Sequence, residues 1–212
     1  MSDASPITLA VLVSGGGTTL QNLIDQIAAG QLNARIGVVI ASRGDIGALD
    51  RAAKARLMNF VVEKTAIDSP AEFSRKVFTL CTDAGASLVC MAGWLSLLEI
   101  PPAFAGRVMN IHPALLPSFG GAGMYGAKVH QAVLTHGCKV SGCTVHFVDG
   151  QYDNGPIILQ RPCPVLENDT AKSLAERVFQ EEMIAYPEAI RLYQAGRLTI
   201  DGRCVRVGAE KG

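Results

Sequence analysis

Residues 7–13 are apolar almost throughout, and they break into Ser14-Gly15-Gly16-Gly17-Thr18-Thr19 before Leu20, Leu23, Ile24 and Ile27 recur at helical spacing. A strand that is apolar on both faces must be covered on both, which a sheet layered between helices provides. The same alternation returns along the chain. Residues 36–41 read as a strand, 48–55 as a helix and 60–63 as a short strand. Pro70 suits the first turn of a helix that runs on through Phe73, Val77 and Leu80, and 87–91 form another apolar strand. Strands alternating with helices give parallel strands joined by right-handed crossovers. The expected fold is therefore α/β: a Rossmann-like, doubly wound, mostly parallel sheet with helices on both faces. Such sheets take ligands at the carboxyl ends of their strands. The glycine loop, the Gly93-Trp94-Leu95-Ser96-Leu97-Leu98 segment and the Asn110/His112 pair all follow or end strands, so one edge is expected to carry them.

The second half follows a different pattern. Residues 119–126 (Phe-Gly-Gly-Ala-Gly-Met-Tyr-Gly) are too rich in glycine for a regular element and read as a mobile loop or lid. Residues 129–134 look helical, with Lys128 and His130 near the start on a solvated face. Residues 143–148 alternate as a strand and contain His146, Asp149-Gly150 marks a turn, and Tyr152-Asp153-Asn154-Gly155-Pro156 marks another before a strand at 157–160. From Thr170 a long amphipathic helix is expected, with Leu174, Val178, Met183 and Ile184 on one face and Glu176, Arg177, Glu181 and Glu182 elsewhere. Asp201-Gly202 predicts a terminal hairpin, with disorder after Val207. No repeat or linker divides the chain, so one domain over 1–212 is expected, with a flexible tail after about 207.

Composition narrows the function. Apolar residues make up 49% and charged residues 18% of 212, an ordinary globular balance. Nineteen basic residues offset nineteen acidic ones, which argues against a nucleic-acid or anionic membrane partner. No apolar run approaches bilayer length and the N-terminus lacks a basic start, so a cytoplasmic location is expected. Six cysteines without a C-x-x-C pair read as reduced thiols, and four dispersed histidines give no reason to expect a metal.

The chemistry-bearing residues each have two readings. Asn110 and His112 stand two apart, so in a strand both side chains point to one side. An amide donor beside an imidazole suits a reaction in which a carbonyl oxygen gains charge while a proton moves. Alternatively, both merely satisfy backbone groups at a strand end that Pro113 and Pro117 terminate. The glycine loop is either an anion site, with Thr18 or Thr19 capping the helix, or a structural turn. No Lys follows as in a Walker loop, and Leu20 stands where a dinucleotide fingerprint needs its third glycine. Residues 93–98 either line a pocket for a flat aromatic ligand or begin a helix packed on the core. Asp153 reads as a turn former and Glu182 as a solvated charge.

Three motifs in order turn these readings toward catalysis. Ser-Gly-Gly-Gly-Thr-Thr-Leu-Gln at 14–21, Asn-Ile-His-Pro-Ala-Leu-Leu-Pro at 110–117 and Gly-Cys-Thr-Val-His-Phe-Val at 142–148, followed by Asp153 and Gly-Pro-Ile-Ile-Leu-Gln at 155–160, resemble the folate-dependent phosphoribosylglycinamide formyltransferases of purine synthesis. The resemblance covers roughly residues 8–197. It implies transfer of a formyl group from 10-formyltetrahydrofolate, as co-substrate and without a metal, to the amine of glycinamide ribonucleotide. It implies that Gly17, Thr18 and Thr19 hold the substrate phosphate and that Glu182 meets the ribose. The pterin would lie against Leu95, Ser96, Leu97 and Leu98 and the loop from Val148 to Asp153. Asn110, His112 and Asp153 match the catalytic trio: Asn110 also contacts the folate and donates to the oxyanion, His112 donates as imidazolium, and Asp153 raises the imidazole pKa. Departures fall at Gly16 and Thr19, where many relatives have Asn, and at Ser96 and Ser69-Pro70, where some have basic residues for the folate glutamate. Only small-molecule partners are expected, in a monomer or homodimer. A formyltetrahydrofolate hydrolase, a methionyl-tRNA formyltransferase and a noncatalytic binding module are the rival readings.

Overall fold

The computed structural model describes residues 5–67 and 69–209. The chain forms two compact units, Met1–Met109 and Asn110–Gly212. In the first, β1 (Ile7–Val13), β2 (Ala34–Ala41), β3 (Asn59–Val61) and β4 (Leu88–Met91) alternate with α1 (Thr18–Ala28), α2 (Gly47–Lys54) and α3 (Pro70–Asp83). The strand order is β3-β2-β1-β4, and β1 pairs in parallel with both β2 and β4. Each residue of β1 is buried, as a strand covered on both faces requires. The chain leaves β1 toward β2 and β3 on one side and returns to β4 on the other. The strand order therefore reverses between β1 and β4, the place where doubly wound sheets bind ligands. Ser69 caps α3 by accepting from the Glu72 N–H at 3.0 Å, Pro70 occupies the first turn, and Phe73 and Val77 face inward.

The second unit contains the last three residues of β5 (Val108–His112), then α4 (Ala127–Thr135), β6 (Val140–Phe147), β7 (Ile157–Pro164), α5 (Ala171–Gln194), β8 (Leu198–Asp201) and β9 (Cys204–Val207). Its strand order is β5-β6-β7-β9-β8. β6 and β7 are antiparallel, from Val140↔Pro164 to His146↔Ile157, with a register shift between Val145 and His146. The expected terminal hairpin is present as β8 and β9, and β9 meets β7 in parallel at Ile157↔Cys204. The tail stays ordered slightly beyond the expected limit, because Gly208 donates its N–H to Arg197 O and accepts from Arg197 Nε, both at 2.8 Å. The rest of that expectation, at 210–212, lies outside the described residues.

The inward stripe of α5 differs from the expected one. Leu174, Val178, Ala185 and Ala189 are fully buried together with Tyr186 and Ile190, while Ile184 is 47% exposed. Val178 and Ala185 are two turns apart and keep one direction; Ile184 falls about 100° off that line. A capping box between Thr170 and Ser173 starts the helix. Asp169 is half-buried there with its side chain 3% exposed, and it accepts from Arg177 Nη1 at 2.6 Å and Nη2 at 2.9 Å, while Arg177 also donates to Pro164 O. The Arg177 guanidinium outweighs burial and holds the Asp169 carboxyl well below the usual carboxylate range. A depressed carboxyl stabilises the fold above its unfolded pKa, and that contribution is lost as pH falls through the folded value. Asp169→Asn is expected to lower Tm by about 4–8 °C at neutral pH, from a loss of about 2 kcal/mol. The deficit should shrink on acidification, as thermal unfolding scans at several pH values would show.

The cysteines are free thiols: Cys81, Cys90, Cys143 and Cys163 are buried, Cys138 is half-buried and Cys204 is exposed. Burial pushes the thiols of Cys81 and Cys143 up to about 12. Among the described residues, no helix is long and apolar enough to cross a membrane.

Candidate active site

In the first unit, the loop leaving β1 and the segment leaving β4 lie side by side. Ser14 Oγ accepts from the Leu95 N–H at 3.1 Å and from Ser42 Oγ at 2.7 Å. Gly17 is the N-cap of α1 at φ 74°, ψ 31°, and no side chain caps the helix. The expected caps Thr18 and Thr19 therefore do not cap; they already belong to the first turn. A Cβ at Gly17 would come within 2.7 Å of Ala48 Cα in a left-handed conformation, so glycine is required there twice over. Arg51 braces the loop from α2, donating through Nε to Gly16 O at 2.8 Å and through Nη1 to Gln21 Oε1 at 3.1 Å. A helix start without a side-chain cap keeps its N–H groups and positive dipole available to an anion.

Residues 93–98 meet half of each expectation. They form no helix. Trp94 and Leu98 are nevertheless core residues, and Trp94 stacks on Phe73 with ring centroids 6.0 Å apart. Leu95 and Leu97 are 44% and 37% exposed, and Ser96 is half-buried. The apolar surface available to a flat ligand is therefore that of Leu95 and Leu97, and Leu98 supports it from within.

In the second unit, Asn110, His112 and Asp153 come together, joined by His146. His112 Nδ1 lies 3.4 Å from Asp153 Oδ2, and Asn110 Nδ2 lies 3.4 Å from Asp153 Oδ1. Asn110 Nδ2 is also 3.2 Å from His146 Nε2, and His146 Nε2 is 3.7 Å from Asp153 Oδ1. The period of two in β5 turns Asn110 and His112 the same way, as expected. Asp153 reaches them from the 149–155 loop with φ 50°, an uncommon conformation that an aspartate tolerates better than most residues.

A carbonyl oxygen can only accept, so His146 Nδ1, 2.8 Å from Phe147 O, carries a proton. With the ring neutral, His146 Nε2 accepts one Asn110 amide hydrogen; with it charged, Nε2 donates toward Asp153 Oδ1, which also lies 3.4 Å from Asn110 Nδ2. His112 Nε2 lies 2.9 Å from Phe119 O. A neutral imidazole can serve either that carbonyl or Asp153; an imidazolium serves both. Asp153 and Phe119 accordingly favour the charged ring, yet burial outweighs them and the His112 pKa falls below its ordinary value. The upward pull expected of Asp153 is present, but the net direction is the reverse of the expected one. Asp153 is also pulled up by burial, but His146, His112 and the Gly121 N–H outweigh that and keep its carboxyl low.

The glycine-rich loop is tied to this cluster at its start, through Phe119 O on His112 and through Gly121 N, which donates to Asp153 Oδ2 at 3.0 Å. Thr144 braces the approach to that loop: its hydroxyl donates to Ala114 O at 2.6 Å and accepts from Leu116 N and Gln160 Nε2. His130, expected on a solvated face, is buried on α4; burial and then the neighbouring His112 charge lower its pKa. Lys128 does lie exposed, over the Tyr125 ring at 4.8 Å. Val148 is half-buried just after β6. Glu182 is half-buried on α5 rather than a solvated charge, and burial raises its carboxyl to about 7.

His146 and the backbone groups of Phe119 and Gly121 are the parts of this cluster that sequence reasoning missed. The signal for His146 was faint: a histidine inside an otherwise apolar alternation, on a strand whose neighbour only the topology reveals.

An amide, two imidazoles and a carboxylate gathered on an α/β sheet can donate hydrogen bonds to a developing charge and move a proton, and none of the four is a hydroxyl or thiol. Comparison with known proteins supplies the family. The chain belongs to the formyl transferase family, which it matches over residues 7–190. It is 38% identical over 189 residues to a chloroplastic phosphoribosylglycinamide formyltransferase of Arabidopsis thaliana, covering 86% of this chain and 63% of that protein. It is 40% identical over 185 residues to the Vigna unguiculata counterpart, covering 86% of this chain and 59% of that protein. The chain thus spans about three fifths of the length of these plant relatives. The crystal structure of glycinamide ribonucleotide transformylase 1 from Symbiobacterium toebii superposes with a TM-score of 0.88 at 42% identity, covering 96% of this chain and 95% of that one. The fold is accordingly the α/β formyltransferase fold, a mostly parallel sheet with helices.

Proposed function

We propose that this protein transfers the formyl group of 10-formyltetrahydrofolate to the amine of glycinamide ribonucleotide, in purine biosynthesis. The observation that carries the reading is the cluster of Asn110, His112 and Asp153 within 3.4 Å contacts, in a family whose match runs from 7 to 190 through both units. That match also supports reading the chain as one formyltransferase domain. The substrate amine is already a nucleophile and attacks the formyl carbon directly. As charge builds on the formyl oxygen, Asn110 gives up its long contact to Asp153 and donates to that oxygen, while the shorter contact to His146 keeps the amide in place. His112, charged with the help of Asp153, releases from Phe119 O and supplies the proton that the departing folate nitrogen needs, and the proton shed by the attacking amine restores the ring.

Gly17, Thr18 and Thr19 take the acceptor phosphate at the uncapped start of α1, and Glu182 takes the ribose hydroxyls. Leu95, Ser96, Leu97 and Leu98 in the first unit and Asn110, Val148 and Asp153 in the second are the residues we assign to the folate, Leu95 and Leu97 offering it exposed apolar surface. No metal takes part in this reading. Equal numbers of acidic and basic residues support small-molecule partners rather than nucleic acid or membrane, and free cysteines support a reducing, cytoplasmic setting, for a monomer or homodimer.

The test follows folate absorbance with purified protein. Deformylation that requires glycinamide ribonucleotide is the expected result; deformylation without it would make the protein a hydrolase, and none at all a binding module. Glu182 adds a prediction. Its ionised form accepts ribose hydroxyls best, so the KM for glycinamide ribonucleotide should fall as pH rises through about 7. Glu182→Gln should raise KM by about tenfold and flatten that dependence, read from initial rates across the pH range.

A further inference from the structure

We propose that Arg203, in the turn between β8 and β9, is a positioning residue for Asp153, so that the terminal hairpin takes part in building the reacting site. The inference rests on the reading of Asp153 given above. Its basis is a short chain of contacts. Arg203 Nη2 donates to Asn154 O at 2.9 Å, and Nη1 lies 3.5 Å from Asn154 Oδ1. The guanidinium thus spans the backbone and side chain of the residue directly after Asp153. Asn154 is held from its other side as well, donating through Nδ2 to Asp149 Oδ2 at 2.9 Å, while Asp149 Oδ1 accepts from Gln151 N at 2.8 Å.

Asp153 needs such support. Its left-handed φ of 50° is uncommon even for an aspartate, and contacts on the loop hold it there. Gly155 packs closely on β6: a Cβ there would collide with Phe147 O and lie 2.8 Å from Phe147 C, so only glycine fits directly after the Asp153-Asn154 step. Arg203 is itself placed by the sheet: the next residue, Cys204, pairs with Ile157 on β7, just beyond the same loop. The hairpin therefore sets where the guanidinium sits, the guanidinium holds the carbonyl and side chain of Asn154, and the anchored Asn154 holds the backbone of the preceding Asp153, whose carboxylate faces His112 and Asn110.

The test uses the full chain in a kinetic cycle. Arg203→Ala should lower kcat about 3–10-fold with little change in the KM for glycinamide ribonucleotide, and Arg203→Lys, which keeps one donor, should recover part of the loss. Because a loosened Asp153 supports the His112 charge less, the limb of the pH–rate profile governed by His112 should move to lower pH, as it should in Asp153→Asn. In an Asp153→Asn background, Arg203→Ala should have no further effect. Arg206→Ala removes the ion pair to Asp201 at 2.8 Å within the same hairpin and should leave activity and profile unchanged. Parental kinetics in Arg203→Ala, an equal loss in Arg206→Ala, or an undiminished effect in the Asp153→Asn background would each overturn the proposal while leaving the role of Asp153 intact. Near-parental turnover in Asp153→Asn alone would remove that role, and this proposal with it.

Discussion

Asn110→Ala is expected to lower kcat by about 100-fold or more, the usual consequence of removing a donor to a developing oxyanion. The geometry says why the loss should fall on turnover rather than on binding. Asn110 Nδ2 lies 3.2 Å from His146 Nε2 and 3.4 Å from Asp153 Oδ1. The second contact is weak enough to be exchanged when charge appears on the formyl oxygen, and the exchange happens only as the transition state forms. An interaction made only there changes kcat and kcat/KM together and leaves the KM for glycinamide ribonucleotide nearly constant. Steady-state kinetics of the purified variant measure this directly. A kcat within about tenfold of the parent would mean that another group stabilises the oxygen.

Asp153→Asn should be nearly as damaging, at about 100-fold or more, and should also change the response to pH. The carboxylate accepts from Asn110 and Gly121 and faces both His112 and His146. An amide can match these neighbours with one oxygen only; its nitrogen would confront another donor. Burial already lowers the His112 pKa, with Asp153 as the main opposing influence. Without that influence the ring loses its proton at still lower pH, so the limb of the profile that follows His112 should shift toward acid. A variant with reduced turnover and an unmoved profile would show that Asp153 acts by shape alone.

The first unit could be read almost directly from the residues, because apolar runs and helical spacing translate into β1 to β4 with boundary differences of about two residues. Asn110 and His112 were legible for the same reason: a strand's period of two forces neighbours two apart to share a side. Two kinds of information stayed hidden. One was burial, which left His130 and Glu182 looking solvated and sent Ile184 of α5 to the wrong face, since a charged or apolar letter does not say how far its helix is turned. The other was long-range contact: His146 joins the cluster only through the strand order, and the sign of the His112 shift depends on how much protein surrounds the ring. Asp153 fell between these cases. Its turn was evident, but the left-handed backbone that aims its carboxylate was not.

The uneven burial of the thiols has a practical consequence. Thiolate, not thiol, reacts with alkylating reagents, so Cys81 and Cys143, raised to about 12 inside the protein, stay inert, while Cys204 stands open to solvent beside Arg203. With the half-buried Cys138 replaced by serine, a maleimide dye would settle on one strand of the terminal hairpin. Its emission would then report, in real time, whether that strand stays seated beside β7 while substrates come and go.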